Sequence, residues 1–500
     1  MFRQASAALV LVMVALSAPT LAGQGQQKRD LQRPDTFQYM SQQNKASIVM
    51  LAEKGLVPRP VASKIAGGIR QVIADEAKPG AQRSADYLRF EALLEAAIGP
   101  DASRLHTGRS RQDLGSTNDR MAQRDALLEV FTTLTASREK LLKLAGEHVN
   151  TVIPAYTHGV QAQPTSLAHY LLAYAASLDR SAERLKAAYG RINLSPLGAA
   201  ALATSGFPLD RPRLAALLGF DGVVENSYDA NHVSPVDIKT ELAAALATAA
   251  IMVGQFVEDL HIQYHDPAPW ILIKEGPLTG ISSIMPQKRN PSVLERLRGL
   301  SSQVVGDSHT VFLMAHNTST GMSDYRGPQQ VVEAAQRAAQ MFDIFGQLVD
   351  ALVVNPKRSL KEVDDDYATM TEVADTLQRI ADVPFRIGHH FASELTTYGR
   401  ERGKRPRELT WAELQQIYKD ASHGQTIPLT ESQMRQTLDA GFVVANRHGL
   451  GGSQPDEVKR MLDGGRARVA ASAEWVRAQK TALQRAEQTL DQEFGNLIGK

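Results

Sequence analysis

Residues Leu278–Glu295 read LTGISSIMPQKRNPSVLE, a run of small, polar and cationic residues between two long apolar periodic segments. Gly276, Gly280, Pro286 and Pro291 prevent a continuous helix here and leave a loop with a permissive backbone. That loop carries Ser282, Ser283, Gln287, Lys288 and Asn290. Asn followed by Pro is a good helix start, so a helix is expected to resume with Asn290 as its cap and Glu295 on its first turns.

On both sides of this loop the apolar residues fall at alternating steps of three and four. Leu167, Leu171, Tyr174, Leu178 and Leu185 form one stripe, and Leu242, Leu246, Ala249, Val253, Phe256 and Leu260 a second. Val331, Ala334, Ala338, Met341, Phe345, Leu348 and Leu352 form a third. A fourth, Leu127, Phe131, Leu134 and Leu141, is interrupted by Arg138. Such stripes mark helices packed lengthwise, so a bundle of long helices is expected over residues 121–358. Their length and alanine content also fit bundles shared between subunits.

Residues 28–120 read as short helical stretches broken by Pro58, Pro60 and Pro79, and 359–500 as a smaller helical unit punctuated by Pro384, Pro406, Pro428 and Pro455. The first 22 residues combine a basic start at Arg3, an apolar core from about Ala7 to Ala18, and small residues at Thr20 and Ala22. They are expected to be a cleavable export signal, giving a periplasmic or secreted protein with no membrane contact after cleavage. With 55 Lys and Arg against 54 Asp and Glu, no global field favours nucleic acid. The absence of Cys excludes disulfides, thiolate metal ligands and a cysteine nucleophile.

The pattern G-x-S-S-x-M-P-x-K-x-N in the loop resembles the signature of the fumarase, aspartase and argininosuccinate lyase superfamily. Three further stretches resemble the argininosuccinate lyase branch: HTGRSRQD at His106–Asp113, IPAYTHGVQAQP at Ile153–Pro164 and NSYDA at Asn226–Ala230. VPFR at 383–386 and GRERGK at 399–404 are also close to that branch. The resemblance implies an all-α, three-domain fold whose central bundles join in a twenty-helix tetramer core with shared active sites. It implies anti β-elimination from an N-succinyl amine, argininosuccinate to arginine in the branch itself, with release of fumarate and no cofactor or metal. Ser282 would be the general base, Lys288 and Asn290 would hold a carboxylate, and His158, oriented by Glu295, would supply the leaving proton. Ser110, Arg111, Gln112, Thr157 and Gln287 would complete the substrate contacts.

Four departures bear on the substrate. Ile281 is inserted between Gly280 and the serine pair. Gln112 stands where the branch has Asn, and 231–237, NHVSPVD, is one residue longer than usual. In NTSTGMSDYRGP at 317–328, Met322, Gly327 and Gln330 occupy the places of the branch's Tyr, Gln and Lys, with Tyr325 and Arg326 as substitutes from shifted positions. Another N-succinyl amine or an aminopolycarboxylate such as ethylenediamine disuccinate is therefore an alternative, as is a catalytically silent relative. A di-metal carboxylate bundle is a rival class, because Glu258, His261 and His265 lie at helical spacing, but it needs a second Glu-x-x-His that the sequence lacks.

Overall fold

The computed structural model describes residues 35–84, 86–322 and 329–499; the expected export signal, Tyr325 and Arg326 lie outside these residues. Helix accounts for 69% of the chain, and strands occur among the described residues only as two-stranded ladders, as the all-α reading requires.

The chain begins with α1 (Thr36–Glu53), α2 (Arg59–Glu76) and α3 (Tyr87–Ile98). Asp35 caps α1 by accepting the Gln38 N–H at 3.1 Å, and Pro60 sits in the first turn of α2, where its missing N–H costs nothing. The centre then runs α4 (Arg111–Glu147), the hairpin β1 (Val152–Thr157) and β2 (Val160–Ser166), and α5 (Leu167–Ile192). Short elements follow: β3 (Leu194–Ser195), α6 (Arg211–Leu217), β4 (Gly222–Val223) and α7 (Ser227–His232). Next come α8 (Ser234–Gln263), β5 (Ile271–Ile273), β6 (Gly280–Ile281), β7 (Arg289–Asn290), α9 (Ser292–Ala315), α10 (Gln329–Ala351) and β8 (Leu352–Val354). The smaller helices α11 (Pro356–Asp364), α12 (Met370–Ala381), α13 (Phe385–Glu401), α14 (Trp411–Ala421), α15 (Glu431–Thr437) and α16 (Ala440–Ala445) precede the long α17 (Pro455–Ile498).

Side-chain contacts set the direction of each bundle helix. Arg120 of α4 donates to the Arg191 carbonyl at 2.8 Å, so the start of α4 meets the end of α5. Arg191 also pairs with Glu241 near the start of α8. Ser301 of α9 donates to the Ala250 carbonyl at 2.7 Å and Arg298 lies 3.5 Å from Glu258, so α9 runs antiparallel to α8. Lys140 and Asp350, 2.7 Å apart, make α10 parallel to α4. Close approach depends on small residues: a Cβ on Gly254 would stand 3.0 Å from Ser301 Oγ. Burial of Leu242, Leu246, Phe256 and Leu260 on α8 stabilises the fold by roughly 1.5–3 kcal/mol per side chain.

Arg138 does not weaken the α4 stripe it interrupts. It is 1% exposed and pairs with Asp179 of α5, whose second oxygen accepts from Arg468 Nε of α17 at 2.6 Å. Arg138 also donates to Ser472 Oγ at 3.0 Å, so a cation at an apolar position fastens three helices.

Two element boundaries differ from the sequence reading. Helix α4 runs without a break through residue 120, because Arg120, Met121 and Arg124 all face buried partners. Helix α17 packs Val458, Leu462, Val469 and Val476 on the bundle and Leu490, Phe494 and Leu497 on the N-terminal helices. The core between Tyr367 and Leu438 is separate from it. Asn290 is not a helix cap: it pairs with Gly280 in the β6–β7 ladder, and α9 begins after Pro291 without a side-chain cap.

Candidate active site

The first group of candidates surrounds the start of α4. Ser110 caps the helix, its Oγ accepting the Gln112 N–H at 3.2 Å, and Arg111 follows, exposed, in the first turn. Before them Arg109 is buried over the Tyr87 ring at 4.7 Å and His106 stacks on the same ring at 4.7 Å. Burial, then the charges of Arg109 and Arg111, pull the His106 imidazole down to about 4.

Asp113 anchors this end of the molecule. It is fully buried and accepts from the Ala200 and Ala201 N–H groups, each at 2.8 Å, and from Asn231 Nδ2 at 2.9 Å. Those bonds hold Ala200 and Ala201 in left-handed conformations, φ 47° and 72°. Burial pushes the Asp113 carboxyl up even though all three donors oppose it.

Through Asn231 the same carboxylate holds α7. Asn226 caps that helix, and Asp229 accepts the Ser234 N–H at 3.0 Å, capping α8 as its sequence position allows. The Gln112 amide nitrogen lies 2.8 Å from His232 Nε2 and 3.4 Å from the Asn231 carbonyl. His232 Nε2 also lies 3.2 Å from the Ala201 carbonyl, so this nitrogen can donate to Ala201 or accept from Gln112, one at a time. The Tyr228 ring packs on His232 at 5.1 Å, and its hydroxyl donates to Thr320 Oγ1 at 3.0 Å.

Thr157 and His158 occupy the tip of the β1–β2 hairpin, both exposed. His158 and Gly159 have φ of 54° and 74°, the two positive values a tight hairpin turn demands. The hairpin is seated on α11, where Tyr156 donates to Glu362 and Gln161 Nε2 to the Glu362 carbonyl at 3.4 Å. Behind it a cavity of about 550 Å³ is lined by Tyr156, Tyr170, Phe256 and Trp270.

The signature loop projects from the start of α9. A Cβ on Gly280 would meet Ser292 Oγ at 2.7 Å, so a larger residue in the β6–β7 ladder would have to turn that side chain away. Ser282 is half-buried, and its Oγ accepts the Met285 N–H at 3.0 Å and the Ile284 N–H at 3.4 Å. Two N–H groups converging on a hydroxyl oxygen favour its anionic form. Gln287 and Lys288 are exposed, and Glu295 is exposed on the first turn of α9. Glu258 of the rival metal reading pairs with Arg298, and His261 packs edge-on against Tyr264.

The helix directions divide these groups. Ser110, Arg111, Gln112, α7 and Thr320 lie where α4, α8 and α10 begin; the His158 hairpin, the Ser282 loop and Glu295 lie where α5 and α9 begin, at the opposite end. At 1.5 Å per residue the 26 residues of α5 alone separate the two ends by about 39 Å. Among the described residues no hydrogen bond or ion pair of the chain joins His158 to Glu295, or either to Ser110–Gln112. Sequence reasoning passed over Asp113, His232 and the Tyr156–Glu362 brace. Asp113 and His232 stand inside the quoted motif and the lengthened run, whereas Glu362 has no local signal.

The chain matches the Lyase family over residues 34–306 and the argininosuccinate lyase C-terminal family over residues 367–445. It is 35% identical over 444 residues to argininosuccinate lyase 2 of Agrobacterium fabrum, covering 86% of each chain. It is 32% identical over 438 residues to argininosuccinate lyase of Methanococcoides burtonii, covering 86% and 87%. Among solved structures it is similar to EDDS lyase in complex with formate, TM-score 0.84 at 30% identity over 93% of this chain and 92% of that one. The fold extends to a fumarate lyase from Mesorhizobium sp. BNC1, TM-score 0.67 at 18% identity over 87% and 96%. With the helical bundle, the signature loop and these matches together, the chain belongs to the argininosuccinate lyase family of carbon–nitrogen lyases, within the fumarase/aspartase superfamily.

Proposed function

We propose that the protein catalyses anti β-elimination from an N-succinyl amine, releasing fumarate and the amine, in sites assembled from several subunits of a homotetramer. In this scheme Ser282 takes the proton from the carbon next to a succinyl carboxylate, and the electron pair is held as an aci-carboxylate by Lys288 and Asn290. As the C–N bond breaks the pair collapses into the double bond of fumarate, and His158, supported by Glu295, protonates the leaving nitrogen. Ser110, Arg111, Gln112 and Thr157 hold the substrate, and Gln287 lies beside Lys288 on the closing loop.

The separation of the candidate residues carries this reading. Each group is exposed and incomplete at its own end of a bundle about 39 Å long, so antiparallel copies are needed to bring the two ends together. The exposed apolar side chains along the bundle fit the same arrangement: Ile251 and Ile262 on α8 are 57% and 55% exposed, and Leu313 on α9 is 66% exposed. Helix α8 is apolar enough to cross a membrane, yet half of its most apolar window is buried in the bundle; the other half suits neighbouring subunits.

Argininosuccinate is the first substrate to test, and an aminopolycarboxylate the second, because the solved structure of EDDS lyase is so similar in fold. Fumarate released from a panel of N-succinyl amines is followed by its ultraviolet absorbance. Activity on one of them with Ser282→Ala inert is the expected result; equal rates for the two proteins reject the Ser282 assignment. Restored activity in hybrids of Ser282→Ala and Arg111→Ala chains is expected only if sites draw on both ends of different subunits. The N-terminal signal is part of the same proposal, and a mature chain in the periplasmic fraction beginning near Gly23 tests it.

A further inference from the structure

The cavity behind the β1–β2 hairpin has no part in the elimination scheme. It is walled by the hairpin, α5, α8, the bend carrying Trp270 and α11, and its volume of about 550 Å³ falls within the usual range for small-molecule sites, about 300–1,000 Å³. Tyr156, Tyr170, Phe256 and Trp270 give it aromatic walls. Its charged lining is acidic: Asp259, Asp266 and Glu362, with no Lys, Arg or His among the described residues that line it.

The charges behind the wall do not cancel this. One guanidinium, Arg358, lies 3.2 Å from Asp266 and 3.4 Å from Glu362, so two carboxylates share it. Asp259 has phenols in place of a cation: Tyr170 and Tyr174 donate to its Oδ2 at 2.8 and 2.9 Å, and among the described residues its Oδ1 has no donor. Both rings also pack on Phe256, with centroids 6.2 and 5.0 Å away, so aromatic surface adjoins the carboxylate. Rings and a carboxylate together favour a positive charge. A second polar group waits for a partner. Trp270 is 6% exposed, and its indole Nε1, which can only donate, has no acceptor among the described residues. A buried donor in that state is costly, and an occupant that supplies an acceptor removes the cost.

We propose that this cavity is a binding site for an organic cation, an arylalkyl ammonium ion that also carries an oxygen acceptor. The ammonium group pairs with Asp259 beside the tyrosine rings, and the oxygen accepts the Trp270 N–H. The site is separate from the reacting groups: Thr157 and His158 are not in the lining, although Tyr156 and Gly159 on either side of them are. It does not depend on the lyase reading.

Calorimetry on the assembled wild-type protein tests it with three probes of nearly equal size. These are para-methoxyphenethylamine, para-methoxyphenethyl alcohol, in which a hydroxyl replaces the ammonium group, and para-ethylphenethylamine, in which a methylene replaces the ether oxygen. The methoxy amine is expected to bind about tenfold or more tighter than the alcohol, as one charge-assisted contact allows, and tighter than the ethyl amine. Asp259→Asn, which keeps an acceptor for both tyrosines, is expected to erase the preference for amine over alcohol. Trp270→Phe is expected to erase the preference for methoxy over ethyl, and saturating succinate to change neither. If the buried Trp270→Phe variant does not fold, Asp259→Asn, at an exposed residue, decides alone. Ile262 at the rim belongs to the face assigned above to neighbouring subunits, and a neighbour that filled the cavity would abolish binding of all three probes. No binding, equal binding of amine and alcohol, or a preference for the amine that survives Asp259→Asn or is lost in succinate overturns the site and leaves the lyase assignment standing.

Discussion

Replacing Asp113 by alanine strands three donors at once: the Ala200 and Ala201 N–H groups and the Asn231 amide. A buried donor without a partner costs about 1–3 kcal/mol. Ala200 and Ala201 are only half-buried and will swing toward water, relaxing left-handed conformations that cost about 1–2 kcal/mol each, so the sum is reduced. A net loss of about 2–4 kcal/mol follows. Burial has raised the Asp113 carboxyl, so the folded chain binds this proton more readily than the unfolded chain does. The ionised form therefore carries a cost at neutral pH that diminishes as pH falls through the folded pKa. Asp113→Asn removes that cost but sets an NH₂ against one of the N–H donors, so it should lose less than Asp113→Ala. The assay is urea unfolding at fixed protein concentration, with fumarate release measured on the same samples. Because Asn231 and Gln112 both lean on this corner, kcat/KM should fall about tenfold or more in the alanine variant, the equivalent of about 1.4 kcal/mol. Unchanged unfolding midpoint and activity in Asp113→Ala would refute the claim that this carboxylate organises the α4–α7 end.

The Arg138–Asp179 pair offers a second test. Asp179→Ala leaves the Arg138 guanidinium buried without its counter-charge and should destabilise the protein by about 3–5 kcal/mol, whereas Arg138→Met with Asp179→Leu should be far milder; equal losses would mean the pair is not what binds α4 to α5. His106 gives a pH signature. With its imidazole held down to about 4 in the fold, the unfolded chain takes up the proton first, near 6.5, and stability should fall as pH drops through that window. His106→Gln should flatten this part of the stability profile, and an unaltered slope would count against the burial argument.

The long helices were legible because an apolar residue every three or four positions is a local property, recorded wherever a helix has a buried face. Ser282, Lys288, His158 and the Ser110–Gln112 loop were legible because each lies in a contiguous motif, although no motif states what stands opposite it. Arg138 shows where one-dimensional reading stops. By composition it breaks a stripe, and only the packing of α5 and α17 supplies the carboxylate that makes its burial favourable. Asn290 fails in the same way, since a good capping residue was taken instead into pairing with Gly280. Sequence alone determined the fold class and the family, and named the residues proposed for elimination, because short-range periodicity and motif chemistry need no partner. Tertiary structure decided that those residues divide between two ends of a bundle, and that Gln112, His232, Tyr228 and Thr320 meet at one of them. Contacts across 120 or 92 positions arise only when helices of fixed rise and direction are laid side by side.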